Sequence, residues 1–168
     1  MTRLRTGRVA PARKEPLTRI VSGGQTGVDR AALDVAMATG LACGGWLPRG
    51  RRAEDGPLPR HYPLREARTP AYAERTRLNV RDSDATLILT RGTPTGGTAL
   101  TAALAQRLGK PCLIVDLAAD PAPDPEATRA WLDLHAIDAL NVAGPRESTC
   151  PGIYHQAAAW LRALLSPG

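Results

Sequence analysis

The chain has no phenylalanine, and only three tryptophans and three tyrosines among its 168 residues. A core must therefore be assembled from Ala, Val, Leu and Ile, which suits helices packed closely on a sheet. Lysine is nearly absent too. Lys14 and Lys110 are the only two, so positive charge rests on arginine, whose planar fork binds phosphates and carboxylates in bidentate fashion. No stretch approaches the roughly 20 apolar residues of a membrane span, which argues against a membrane partner. The N-terminus lacks the apolar centre of a signal peptide, so the expected location is the cytoplasm. The three cysteines, Cys43, Cys112 and Cys150, form no CxxC pair and no metal-ligand spacing. Neither a disulfide framework nor a protein-ligated metal is expected.

What is present fits one domain with a substantial core; the length is too short for two ordinary ones. The net charge is +6 with a pI near 9.9, a balance that raises nucleic acid as a partner. Its distribution lowers it again, because residues 1–16 carry a net +4 and leave only +2 for the rest. The expected organisation is a flexible basic arm over 1–16 and a single ligand-binding domain over 17–168.

Five short apolar runs read as buried parallel strands: TRIVSG from Thr18, LACGGW from Leu41, ATLILT from Ala85, PCLIVDL from Pro111 and IDALNVAG from Ile137. Helical periodicity separates them, over Gly27–Thr39, Pro70–Arg81, Gly97–Leu108, Pro125–His135 and Pro151–Leu165. Gly40 and Gly109 stand where helices end, and Pro70, Pro125 and Pro151 where helices begin. Strict alternation of this kind predicts an α/β fold, with a doubly wound, mostly parallel five-stranded sheet and helices on both faces. The segment from Gly44 to Pro70, with Trp46, several arginines and four prolines before Pro70, reads as an ordered loop over the site.

Ligands of such sheets sit where strands lead into helix N-termini, whose free N–H groups favour anions. Three of these junctions are rich in glycine. The first, SGGQTGVDR, offers Gly23, Gly24, Gln25, Thr26, Gly27, Asp29 and Arg30. It lacks the Lys of a Walker A loop and the spacing of GxGxxG. Thr26 and Asp29 have the spacing of a capping pair, so Asp29 is read either as a cap or as a ligand contact. The second junction presents Gly96, Gly97 and Thr98, on what is expected to be a neighbouring strand. The third presents Asn141, Gly144, Pro145, Arg146 and Glu147. On the helix before Asp82, Tyr72, Thr76 and Asn79 share one face with Arg75 beside them. Asp84, entering a strand, reads as structural. Cys150 and His155 lack the third group of a nucleophilic site.

SGGQTGVDRAALD, GGWLPRGRRAEDGPLP, RTRLNVRDSDATLIL, GGTALT and LNVAGPRES, taken in order, resemble the family of putative molybdenum carriers. That family is also described as circularly permuted YpsA-like, within the superfamily that joins the LOG hydrolases and DprA-type proteins. The resemblance runs from about Ile20 to Leu165. It implies a Rossmann-like fold, a homo-oligomer (dimer or tetramer), and a pocket for a small anionic ligand, either a nucleotide or the molybdenum cofactor. With such a ligand, Arg49, Arg52, Arg75 and Arg146 would stand at the rim, with Glu54, Asp55 and Asn79 nearby. LOG enzymes place a catalytic Glu after their GG-x-GT loop; here Ala99, Leu100 and Thr101 follow Thr98. The resulting expectation is a non-catalytic binding protein. The alternative is a hydrolase of N-glycosidic bonds drawing its carboxylate from Asp29, Glu54, Asp55 or Glu147.

Overall fold

The computed structural model describes residues 17–166; the expected basic arm lies outside the described residues. Five strands form one sheet: β1 (Arg19–Val21), β2 (Ala42–Gly44), β7 (Ala85–Thr90), β8 (Cys112–Asp116) and β9 (Ala139–Ala143). Four two-residue strands lie between β2 and the second helix: β3 (Trp46–Leu47), β4 (Arg52–Ala53), β5 (Gly56–Pro57) and β6 (Arg65–Glu66). The helices are α1 (Val28–Ala38), α2 (Tyr72–Arg81), α3 (Gly96–Arg107), α4 (Pro125–Leu134) and α5 (Ile153–Leu165). None is long and apolar enough to cross a membrane.

The main sheet is wholly parallel, in the order β2-β1-β9-β7-β8. Counted from β9 through β1, β2, β7 and β8, that order reads 3-2-1-4-5, the strand order of a Rossmann-like sheet. The last strand thus occupies the place of a first one, paired through Leu140 to Ile20 on one side and to Ala85 on the other. The loops after β1 and β7 consequently do not leave neighbouring strands, as the sequence had led us to expect; the loop after β9 runs between them.

Packing follows from the composition. Strand β7 is buried at all six positions, as a strand covered on both faces must be. Its Leu87 and Leu89 join Ile20, Leu140 and Val142 in the main core, against Ala31, Ala32 and Val35 of α1 and Ala157, Ala158 and Leu161 of α5. Alanines on the facing sides of α1 and α5 let the helix backbones come close and fill the volume without aromatic side chains. Helices α2 and α3 pack together on the opposite face, where Val80, Leu104 and Ala105 form a smaller cluster.

The segment after β2 is ordered by a cluster of its own, Leu33, Leu47, Leu58, Tyr62 and Leu64. Arg51 organises it, donating to the carbonyls of Leu58 (3.0 Å), Pro59 (3.0 Å), Tyr62 (3.1 Å) and Leu64 (3.3 Å). Asn79 completes the attachment: its Oδ1 accepts from Trp46 N at 2.7 Å and its Nδ2 donates to Trp46 O at 2.9 Å. Asp84 is structural as expected, accepting from the backbone N–H groups of Asp138 and Ala139.

Two local expectations are corrected. Only Pro125 occupies the first turn of its helix, capped by Asp124, whose side chain accepts from Glu126 N at 2.9 Å; Pro70 and Pro151 lie just before α2 and α5. Thr26 and Asp29 form no capping box, because Gly27 is the N-cap of α1 and no side chain caps that end. Gly27 adopts φ 78°, and a Cβ there would stand 2.3 Å from Pro145 O. Gly97 has neither constraint: no atom lies within 4 Å of its Cβ position. In urea denaturation, Gly27→Ala should lose at least about 2 kcal/mol of stability. Gly97→Ala should lose none and gain up to about 1 kcal/mol.

Candidate functional site

A cavity of about 400 Å³ opens where the loops after β1, β9 and β7 meet α2. This is the switch point of the recounted sheet, the crevice where parallel α/β sheets take their ligands. Of the residues singled out from sequence, Gly23, Gln25 and Asp29 line it from the first loop, and Gly96, Gly97 and Thr98 from the second. Asn141, Gly144, Pro145 and Arg146 line it from the third, and Arg75 and Asn79 from α2.

The three glycine junctions are not equivalent. At α1 the chain fills the helix end itself, Val28 N donating to Pro145 O at 3.3 Å. At α5 the Glu147 carboxylate does so, accepting from Gly152 N (2.5 Å) and Tyr154 N (3.0 Å). Only α3 stays open. Thr98 N and Ala99 N turn back to Thr95 O, which leaves the N–H groups of Gly96 and Gly97 without an acceptor among the described residues. The partial positive charge of that helix end faces the cavity with bare backbone around it.

Gln25 supplies a second donor. Its Oε1 accepts from Thr26 N at 3.0 Å and Glu54 N at 2.8 Å, which fixes the orientation of the amide. Its Nε2 is buried and is the one buried side-chain N or O atom without a hydrogen-bond partner among the described residues. A buried amide N–H left unpaired costs roughly 1–3 kcal/mol, so a ligand oxygen there would recover a real deficit.

Charge in the cavity centres on Asp29 and Arg75. Burial pushes the Asp29 carboxyl up to about 6, against the opposing pull of Arg75, the Gln25 backbone N–H, Arg30 and Arg146. Arg75 donates to Gly23 O at 2.6 Å. A Cβ on Gly23 would stand 2.5 Å from Arg75 Nη1 and 2.9 Å from Asp29 Oδ2; glycine is what lets both groups close on the loop. Three guanidinium carbons also surround the Tyr72 ring, those of Arg75, Arg146 and Arg52 at 5.3, 5.4 and 5.5 Å from its centroid.

The remaining candidates lie outside the cavity, each for a visible reason. Gly24 (φ 75°) is tucked against Leu58 and Leu64, and its carbonyl accepts from Arg30. Arg30 holds Asp55 with two 3.0 Å bonds. Glu54 accepts from the Thr26 hydroxyl and from the backbone and hydroxyl of Ser148, tying the β4–β5 hairpin to the first and third loops. Thr26 in turn accepts from Glu147 N at 3.1 Å. Arg52 has its guanidinium carbon 5.5 Å from the centroid of the Tyr72 ring, and among the described residues Arg49 is tied only through its backbone N–H, to Thr69 O. Thr26, Gly27, Arg30 and Glu147 border a shallower hollow of about 290 Å³, where Asp34 accepts the hydroxyls of Tyr62 (2.6 Å) and Tyr154 (2.5 Å).

Sequence reasoning placed Tyr72 and Thr76 on a shared face but left them out of the site, which they line together with Thr95, Leu100, Thr101, Ser148 and Thr149. The spacing Tyr72, Arg75, Thr76, Asn79, in a chain with six aromatics, was the available signal for that wall. Nothing in the spacing marks Ser148 or Thr149. Among the described residues no group of three or more His, Cys, Asp or Glu side chains could hold a metal.

The Asp29 shift has a thermodynamic consequence. A carboxyl whose pKa is higher folded than unfolded binds more protons when folded, so it costs stability as pH rises from about 4 to about 6, and the cost is complete above that. Asp29→Asn should therefore raise stability at pH 7.5 by up to about 3 kcal/mol and change it little at pH 4. Urea midpoints at the two pH values read the difference.

The sequence model described as the circularly permutated YpsA SLOG family matches residues 20–165. Among solved structures, the crystal structure of a putative molybdenum carrier protein from Syntrophus aciditrophicus SB is 45% identical, with a TM-score of 0.84. The match covers 89% of this chain and 96% of that one. No curated protein matches the chain.

Proposed function

The chain belongs to the circularly permutated YpsA SLOG family, and from that premise we propose that it is a carrier-type binding protein for a small phosphate-bearing molecule. The phosphate sits on the Gly96 and Gly97 N–H groups and the Thr98 hydroxyl, and a second oxygen of the ligand accepts from Gln25 Nε2. The single observation behind this reading is the buried, unpaired Nε2 of Gln25, a residue that lines the cavity beside the α3 helix end. The name of the 45%-identical relative supports the carrier role.

Two ligand classes suit these donors, a nucleotide and the molybdenum cofactor. The groups offered are hydrogen-bond donors and guanidinium cations, which fit the phosphate of either. Gly96, Gly97 and Thr98 would hold that phosphate. With no protein ligand set at the cavity, a molybdenum centre would be carried by its pterin. A homo-oligomer finds support in Leu108, just past the C-terminus of α3, and Ile114 of the edge strand β8, both exposed.

One observation favours a second reading, hydrolysis of an N-glycosidic bond. Asp29 is the one carboxylate lining the cavity, and burial brings it to about 6, suited to proton transfer near neutral pH. Glu54, Asp55 and Glu147 are engaged elsewhere. Release of adenine from AMP by the wild type, lost in Asp29→Asn, would establish this activity; the binding reading expects no release.

Calorimetric titration with AMP and with inorganic phosphate tests the primary proposal. Saturable binding is expected for the wild type. Gln25→Glu keeps the Oε1 contacts but replaces the donor by an acceptor, so it should weaken AMP at least about tenfold. Absence of saturable binding by both probes would remove the proposal.

A further inference from the structure

The guanidinium groups around Tyr72 come from three separate segments: Arg52 from the β4–β5 hairpin, Arg75 from α2 and Arg146 from the loop after β9. Converging like charges need compensation, and the chain supplies little. Among the described residues Arg52 reaches only the carbonyl of Pro70, at 3.5 Å. Arg146 has Glu54 at 4.0 Å, but that carboxylate already accepts from Thr26 and Ser148. Arg75, buried, spends one N–H on Gly23 O. The carboxylate that acts on it is Asp29, whose own burial disfavours charge. Arg146 opposes the charge of Arg75, so the two feel each other directly. Three cations held against one ring and short of counter-charge form a concentrated positive field where the cavity wall meets the exposed hairpin.

We propose that Arg52, Arg75 and Arg146 around Tyr72 form a second anion subsite, so that the ligand carries two anionic groups. One is the phosphate on the α3 N-terminus. The other is a further phosphate, or an oxyanion of similar shape, gripped between the guanidinium forks. The inference rests on the binding function proposed above and narrows its ligand to doubly anionic, nucleotide-like molecules. Arg52 belongs to this subsite alone, because it lies outside the main cavity lining. The hairpin that carries it is held by Glu54 and Asp55 to the first loop.

The test compares AMP, ADP and adenosine 3′,5′-bisphosphate by calorimetry on the wild type and on Arg52→Gln. At least one doubly phosphorylated probe should bind the wild type about tenfold or more tightly than AMP. In Arg52→Gln that ratio should fall below about threefold, with the thermal midpoint of the free protein unchanged, since Arg52 is exposed. Saturable AMP binding with no advantage for either doubly phosphorylated probe would overturn the second subsite and leave the binding function standing. A ratio undiminished in Arg52→Gln would overturn it equally. Failure of all three probes to bind would overturn both.

Discussion

Strand β9 lies between β1 and β7, and the geometry of the cavity depends on that insertion. Because β9 is last in the chain but central in the sheet, its following loop must leave the sheet between two others. Its carbonyl at Pro145 then satisfies the first amide of α1, and Gly144 passes so close to β7 that a Cβ would stand 2.2 Å from Leu89 O. The Ser22 hydroxyl, at the end of β1, donates to Val142 O at 3.0 Å. The same loop after β9 meets the N-terminus of α1 through Pro145 O and that of α5 through the Glu147 carboxylate, whereas no side chain caps that of α3.

A division of labour among polar groups follows. Most carboxylates and amides near the cavity work as braces. Glu54 binds the hairpin to two loops, Glu147 caps α5, Asn79 mimics a strand for Trp46, and Arg51 gathers four carbonyls of the covering segment. Each satisfies backbone groups that irregular chain would otherwise leave unpaired. The groups left over, Gln25 Nε2, two glycine amides and a set of guanidinium ions, are donors or cations. Asp29 is the exception, and its burial favours the neutral form. The cavity therefore selects for ligand oxygens and negative charge by exclusion as much as by attraction.

The elements were largely legible in the sequence. All five apolar runs became strands of the main sheet, and all five periodic segments became helices, with ends moved by a residue or two. Buried parallel strands made of Val, Ile and Leu, ended by Gly or Pro, leave little ambiguity. Strand order was not legible, because the sequence sets the succession of strands and not their neighbours; the β1 and β7 loops were therefore placed side by side. Which glycine junction stays open was hidden for a related reason. Glu147 resembles a ligand contact until its carboxylate is seen on the amides of α5, and Thr26 resembles a cap until Glu54 arrives from 28 residues away. The cluster around Tyr72 was legible only in its Arg75 member, on the same helix, because Arg52 and Arg146 come from distant segments.

The central claim is that the open end of α3 and the unpaired amide of Gln25 receive one ligand together. A 15N-resolved NMR titration with AMP tests it most directly. The expected result is saturable movement of the Gly96 and Gly97 backbone signals and of the Gln25 side-chain NH2 signal, all fitting one dissociation constant. Saturable shifts confined to residues around the other hollow, such as Tyr62 and Tyr154, with Gly96, Gly97 and Gln25 unmoved, would contradict it.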